Sequence, residues 1–515
     1  MCRQWRPLGT IVYFAAMTPA YGRSAFLALT LAVQMSLGAA ARSEDPPGYL
    51  QQSPGAGEPS DLDAWRAGDR HEGLAPYPPH PPGAPNPQEP LFTFGGRGGA
   101  TFGSPNLGMP FADWERRMRA QRPAVDAAAR KALTDRFDLT CKTRTGVVMS
   151  RSKPQPIGPT AKLPEGMATW EDYAALAPDE IRRRGDFPWV PLAHPLHSTA
   201  HMLFPAQWTR VHPEHERFDI GFDIPDCFLP EFPPPLYLTT HRELGDVTRG
   251  VEITYGNYFA MFDGLITGEQ MEGLRLLVTP FQTTWFNATE HRVTAAPSQG
   301  VACFSCHVNG HTNGAIELAP DSRPNYARLR VDSPTMRGNW AQLVLSSKRS
   351  IRTMDHFAEV EEYFDGDTGL LAAIGGRTLQ KAQTNRMGDF NAVIDFPPAP
   401  KLDALGRLDP ALATAEERRG ETLFNGKAQC AVCHPPAQQF TDNAMHDLRV
   451  ERFYAGRPEG VIKTFPLRGI KDSPPYLHDG RLLTLEDVVL FFDLVLETRL
   501  TAGERDDLVA YLRAL

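Results

Sequence analysis

Two short strings of the chain combine residue types and spacing that serve an identifiable chemistry: Cys303-Phe304-Ser305-Cys306-His307 and Cys430-Ala431-Val432-Cys433-His434. Each is C-x-x-C-H, the attachment signature of c-type haem. Cysteines three apart leave one face of a helical turn, so both sulfurs reach vinyl groups on one porphyrin edge. The next residue, His307 or His434, then lies under the iron as the proximal imidazole ligand. The competing readings of C-x-x-C are a zinc site and a thioredoxin-like redox pair. Two copies of the whole string on a chain that begins with an export signal favour two covalently bound haem c groups.

The elements that position these strings begin far upstream. The chain has 515 residues, 42% of them hydrophobic, enough for two or three cored domains. A net charge of −8 provides no basic surface for nucleic acid. Arg3, Arg6 and Arg23 precede an apolar run from Ala25 to Leu37, followed by Ala39-Ala40-Ala41 and then polar Arg42-Ser43-Glu44-Asp45. This reads as a secretory signal peptide over 1–41, cleaved near Ala41, with Met17 as an alternative start. An uncut anchor is the other reading, but the run is short for a span, and no later stretch is apolar enough to cross a membrane. The expected location is therefore the periplasm, with no transmembrane span after cleavage. Beyond Cys2 and the four motif cysteines, Cys141 and Cys227 remain, as a disulfide or as two buried thiols.

Prolines and glycines crowd residues 42–110, which read as an extended leader. Residues 111–296 read as a mixed, loop-rich N-terminal region of unknown fold. Helices are expected at Ala112–Gln121, Pro123–Phe137 and Trp170–Arg184, the last capped by Thr169 with Asp172 and ended by Gly185. His194, His197, His201, His212, His215 and His241 cluster here, either as a metal site or as ordinary polar histidines. Pro195 disturbs the helix that a His194-x-x-His197 pair would need. Ser333-Pro334-Thr335-Met336-Arg337-Gly338 parallels Thr464-Phe465-Pro466-Leu467-Arg468-Gly469, and Tyr363-Phe364-Asp365 parallels Phe491-Phe492-Asp493. Similar landmarks after each haem motif suggest a duplication. The expected fold is mainly α, with two cytochrome c-like haem domains in tandem, 297–396 and 412–515, joined by a linker over 397–411. In the second, Thr414 with Glu417 and Thr501 with Glu504 make capping boxes for the helices flanking the haem loop.

The chain resembles the bacterial di-haem cytochrome c peroxidase family, which includes MauG-type enzymes. Besides the two C-x-x-C-H strings, the carrying residues are Arg419-Gly420-x-x-Leu423-Phe424, Pro466-Leu467-Arg468-Gly469, Ser473-Pro474-Pro475-Tyr476-Leu477-His478-Asp479-Gly480 and Thr484-Leu485-Glu486-Asp487-Val488-Val489. The resemblance covers roughly Pro297 to Leu515. It implies that His434 ligates an electron-entry haem and His307 a peroxide-reacting haem. It implies a small electron-donor protein, a cytochrome c or a cupredoxin. It also implies an inter-domain calcium held partly by the carbonyls of Ser473 and Pro475, with Asn339 as a side-chain candidate.

The chain departs from the family pattern at several positions. Phe492 stands where the family places an axial Met or Tyr. His446, His478 and Tyr476 are the alternative ligands of the second haem, and a hydrogen-bonding role beside the haem is the other reading of His478 and His446. Arg323 stands where the first haem's distal histidine would fall, leaving Met354 and His356 as candidates or as helix-start packing. His311 is too close to His307 to reach the opposite face easily. Ser347-Lys348-Arg349-Ser350 replaces the segment with the inter-haem tryptophan, for which Trp340 is a substitute at another position. The segment with the catalytic glutamate is absent, so Glu359, Glu361 and Glu362 are the acid/base candidates, with a solvated helix face as the other reading. The function expected is a peroxidase-like oxidoreductase. A non-catalytic di-haem electron carrier and an oxygenase or maturation enzyme acting on another substrate are the alternatives.

Overall fold

The computed structural model describes residues 120, 123, 127, 130–131, 133–189, 211, 225–279, 283–285, 293–298, 302–312, 316–317, 331–345, 352–354, 381–447, 461–477 and 480–515. The expected signal peptide and leader lie outside them, as do five histidines of the N-terminal cluster; His241 is described, with Nδ1 3.0 Å from Glu243 Oε1. Among the described residues no helix is long and apolar enough to cross a membrane.

Strands β1 (Thr143–Val148) and β2 (Pro154–Pro156) pair antiparallel. Thr169 then caps α1 (Trp170–Ala174), its side chain accepting from the Asp172 N–H. The single helix expected over Trp170–Arg184 is two: α2 (Pro178–Arg184) is separate from α1. The cause is Pro178, which favours an extended residue before it; Ala177 has φ −66° and ψ 144°. Gly185 ends α2 in the left-handed region, as expected. The Cys141–Cys227 pair is a disulfide, with Cα atoms 6.0 Å apart.

The other elements are α3 (Tyr258–Phe262), α4 (Gly268–Leu277), the two-stranded β3 (Thr283–Trp285) and β4 (Val293–Ser298), α5 (Cys303–Cys306), the pair β5 (Ile316–Glu317) and β6 (Val331–Asp332), and α6 (Lys381–Asn391). Last come α7 (Ala415–Asn425), the pair β7 (Met445–Asp447) and β8 (Val461–Lys463), α8 (Leu485–Leu496) and α9 (Ala502–Leu512). Both expected capping boxes form: Thr414 and Glu417 open α7, and Thr501 and Glu504 open α9.

Two cores result. One gathers Phe304, Met387, Phe390 and Ile394 with Leu236, Phe262 and Leu274. The other gathers Phe424, Phe440, Leu490 and Tyr511 with Phe137, Tyr173, Phe187 and Phe228. Residues within 111–296 are therefore shared between the cores: those up to Leu229 line the second, and those from Leu236 to Val278 line the first. Each core has a helix crossing made close by glycine. A Cβ on Gly273 of α4 would fall 1.9 Å from the Arg386 carbonyl oxygen of α6, and one on Gly420 of α7 would fall 2.1 Å from the Asp507 carbonyl oxygen of α9. Arg419 seals the second crossing with two hydrogen bonds to Asp507, at 2.7 and 2.8 Å.

Polar clamps bind the segment 150–174 to the C-terminal helices. Asp487, fully buried in the first turn of α8, accepts from the N–H groups of Thr160 and Ala161, each at 3.0 Å, and from the Thr160 hydroxyl. Arg513 donates to Gln155 Oε1 at 2.7 Å and also binds Glu486, while Arg505 reaches Glu171 at 2.9 Å. Buried carboxylates of this kind persist only when hydrogen-bonded.

Candidate haem sites

The repeated hexapeptides adopt the same turn. Gly338 (φ 70°, ψ 21°) and Gly469 (φ 70°, ψ 18°) each enter a one-turn 3-10 helix, Asn339–Ala341 and Ile470–Asp472, from the left-handed region. The Gly338 N–H donates to Ile394 O, and the Gly469 N–H to Leu515 O. Between the two turns lies Phe396-Pro397. A Cβ on Gly338 would strike the Phe396 ring, and one on Gly469 would strike Pro397. Trp340 packs edge-on against Phe396 at 5.7 Å, and Arg468 lies over the same ring at 5.6 Å. Trp340 thus sits where the two repeats meet.

At the first motif, the single turn of α5 places Cys303 and Cys306 on one side, and neither is in a disulfide. His307 then leaves the helix, and its Nδ1 lies 2.8 Å from Pro334 O. A carbonyl can only accept, so Nδ1 carries the proton and Nε2 keeps the lone pair that binds a metal. At the second motif a 3-10 turn, Cys430–Val432, does the same work, and His434 Nδ1 lies 2.7 Å from Phe440 O. Burial pushes both imidazoles down, to about 4, which favours the neutral ligand form. Phe424, Phe440 and Tyr511 pack edge to face around the second motif, and the buried Tyr511 hydroxyl has no hydrogen-bond partner among the described residues. Two thiols and an oriented imidazole at each site form the donor set that attaches haem c.

The thiols do not resemble those of a redox C-x-x-C. Burial pushes Cys430 up to about 12 and Cys433 up to about 11, opposite to the depressed values that make such thiols reactive. Cys433, Asp442 and His446 do bring ligand atoms within 4.8 Å of one another, the geometry a zinc reading would use. That trio needs the Cys433 sulfur that a haem thioether would take.

The remaining candidates fall unevenly. His446 is placed beside the attachment loop, with Nε2 2.7 Å from Asp442 Oδ2, so the nitrogen best able to reach an iron is engaged. Met354 packs against the same core as Cys303, and its sulfur accepts from Asn339 Nδ2 at 3.5 Å. Phe492 packs on the second core, edge-on to Phe491 at 5.3 Å. His478, His356, Arg323, Glu359, Glu361 and Glu362 lie outside the described residues.

Ser473 and Pro475, whose carbonyls were expected to hold calcium, follow the second repeat turn directly. Calcium takes six to eight oxygens. Here the Asp472 carboxylate is bonded by the Ser150 N–H at 3.2 Å and by its hydroxyl, and the Arg337 guanidinium is 3.9 Å away. Asn339 Oδ1 accepts from Gln342.

Sequence reasoning weighed His311 only as a distal ligand and set it aside, without foreseeing its place in the structure. It is 1% exposed, with Nδ1 2.7 Å from Thr335 Oγ1 and Nε2 2.6 Å from Asp472 O. Its C-x-x-C-H-x-x-x-H spacing was the available signal.

The donor sets are those of a c-type haem protein, and comparison with known proteins adds the class. No protein-family model matches the chain. It is 34% identical over 137 residues to the methylamine utilization protein MauG of Methylorubrum extorquens, covering 22% of this chain and 37% of that one. It is 27% identical over 175 residues to the cytochrome-c peroxidase IdrP2 of a Pseudomonas species, covering 25% and 47%. A solved MauG-like protein associated with microbial copper homeostasis shares 18% identity, over 49% of this chain and 90% of that one, with a TM-score of 0.36. The chain spans less than half the length of these two curated relatives. Over the matched stretch it is similar to MauG and to cytochrome-c peroxidases.

Proposed function

We propose that the chain is a periplasmic di-haem c-type oxidoreductase of the peroxidase kind, passing electrons from a small cytochrome c or cupredoxin to peroxide. The observation that carries the reading is the repeated C-x-x-C-H turn whose histidine is oriented by a backbone carbonyl, at 2.8 Å for His307 and 2.7 Å for His434. Homology to MauG and to cytochrome-c peroxidases supports the peroxidase class.

Haem c held at these positions by Cys303, Cys306 and His307 and by Cys430, Cys433 and His434 would supply redox-active iron for peroxide chemistry and electron transfer. The chain's own part is attachment, orientation and proton movement. Cys303, Cys306, Cys430 and Cys433 form the thioethers, and His307 and His434 present Nε2. In this proposal His434 serves electron entry and His307 the peroxide site. Glu361 or Glu362 moves a proton between the peroxide oxygens. Met354 and His478 are the side chains that would help hold the iron at the two sites. The haem domains are 297–396 and 412–515, and the signal peptide is cut near Ala41.

The test is the optical spectrum of the purified, haem-loaded chain. A high-spin ferric signal that changes when hydrogen peroxide is added is the expected result. Two low-spin haems inert to peroxide in every redox state would identify an electron carrier instead.

A further inference from the structure

The four residues after His307 turn the chain through a 3-10 step, in which Asn309 has φ 52° and ψ 34°, and bring His311 back into the protein. His311 is buried, and burial together with the nearby Arg337 guanidinium holds it well below the usual imidazole range, so it is neutral. Its tautomer is fixed by its partners. Asp472 O can only accept, so Nε2 carries the proton, and Nδ1 must accept from the Thr335 hydroxyl. That hydroxyl's oxygen in turn accepts the Arg337 N–H at 3.1 Å. The residue before Thr335 is Pro334, whose carbonyl orients His307.

A continuous chain of bonds results. His307 Nδ1–H reaches the Pro334 carbonyl, one peptide leads to Thr335, Thr335 Oγ1–H reaches His311 Nδ1, and His311 Nε2–H reaches Asp472 in the second repeat turn, 161 residues after His311. We propose that His311 is a positioning residue for the first haem: it fixes the carbonyl that orients His307 and ties that carbonyl to the second repeat. The strength of the Nδ1–H hydrogen bond sets how much electron density a ligating imidazole gives its metal. A loosened Pro334 carbonyl therefore weakens that donation and raises the potential of the first haem. The proposal rests on the di-haem reading above.

The experiment uses the full haem-loaded chain, with haem counted by alkaline pyridine spectra and both midpoints followed by spectroelectrochemical titration. A chain lacking Cys303 and Cys306 assigns the first-haem signal. His311→Leu removes both hydrogen bonds, whereas His311→Gln keeps one donor and one acceptor. His311→Leu is expected to keep two haems and to favour reduction of the first haem about tenfold, ~59 mV for one electron, with the second haem unmoved. His311→Gln is expected to return within threefold of the native protein. An unchanged first midpoint in His311→Leu, an equal shift of both haems, or a Gln variant as displaced as the Leu variant would overturn the proposal. A native chain holding fewer than two haems would overturn the di-haem reading itself, which the haem count shows separately.

Discussion

Lys153 illustrates how a single side chain is constrained by its surroundings. Its ammonium donates to the carbonyl oxygens of Asp226, at 2.6 Å, and Leu229, and burial pushes it down to about 8. An unfolded lysine holds its proton to about pH 10.4. Between those values the unfolded chain binds the proton and the folded one does not, so stability rises with pH across that window and is lost as pH falls toward 8. The native protein is therefore expected to gain thermal stability relative to Lys153→Met between pH 8 and pH 10; parallel melting curves across that window would reject this. At this scale the sequence was legible where the chemistry is local. The C-x-x-C-H strings and the Thr169, Thr414 and Thr501 caps each depend on residues three or four apart, and each forms. His311 was not legible, because its meaning lies in a carbonyl 161 residues away. His446 carried two readings for a related reason: the nearby Asp442 engages it, which spacing alone does not reveal.

At the scale of elements, α7 and α9 depend on one missing methyl group. Gly420 allows the Asp507 backbone to approach closer than any Cβ permits. Gly420→Ala is expected to cost about 1–3 kcal/mol, the usual penalty of overpacking, seen as a lowered melting temperature. An unchanged melting temperature would mean that the crossing relaxes freely. The helices were readable from caps and apolar spacing, but their partners were not. Nothing in the residues of α1 or α2 shows that they would pack with the aromatic residues of α7 and α9. Pro178 splits the helix expected there because a rigid ring outweighs the helical propensity of its neighbours. The repeated turn was readable as two similar hexapeptides, whereas the wedge of Phe396 and Pro397 between their glycines was not.

At the scale of the molecule, the described residues of 111–296 act as packing for both cores, and the Cys141–Cys227 disulfide pins the part that covers the second. Replacing both cysteines with serine is expected to cost about 2–4 kcal/mol while leaving the haem count unchanged; calorimetry and pyridine spectra check the two halves of that statement. Asp487, whose carboxylate holds Thr160 and Ala161, has a consequence in time as well as in space. Thr160 and Asp487 are 327 residues apart, so the early segment is complete on the ribosome long before its anchor is made. Contacts of such separation close slowly and late. Until α8 emerges, the groups that hold Thr160 and Ala161 do not exist. The part of the chain made first is therefore the part whose packing is completed last.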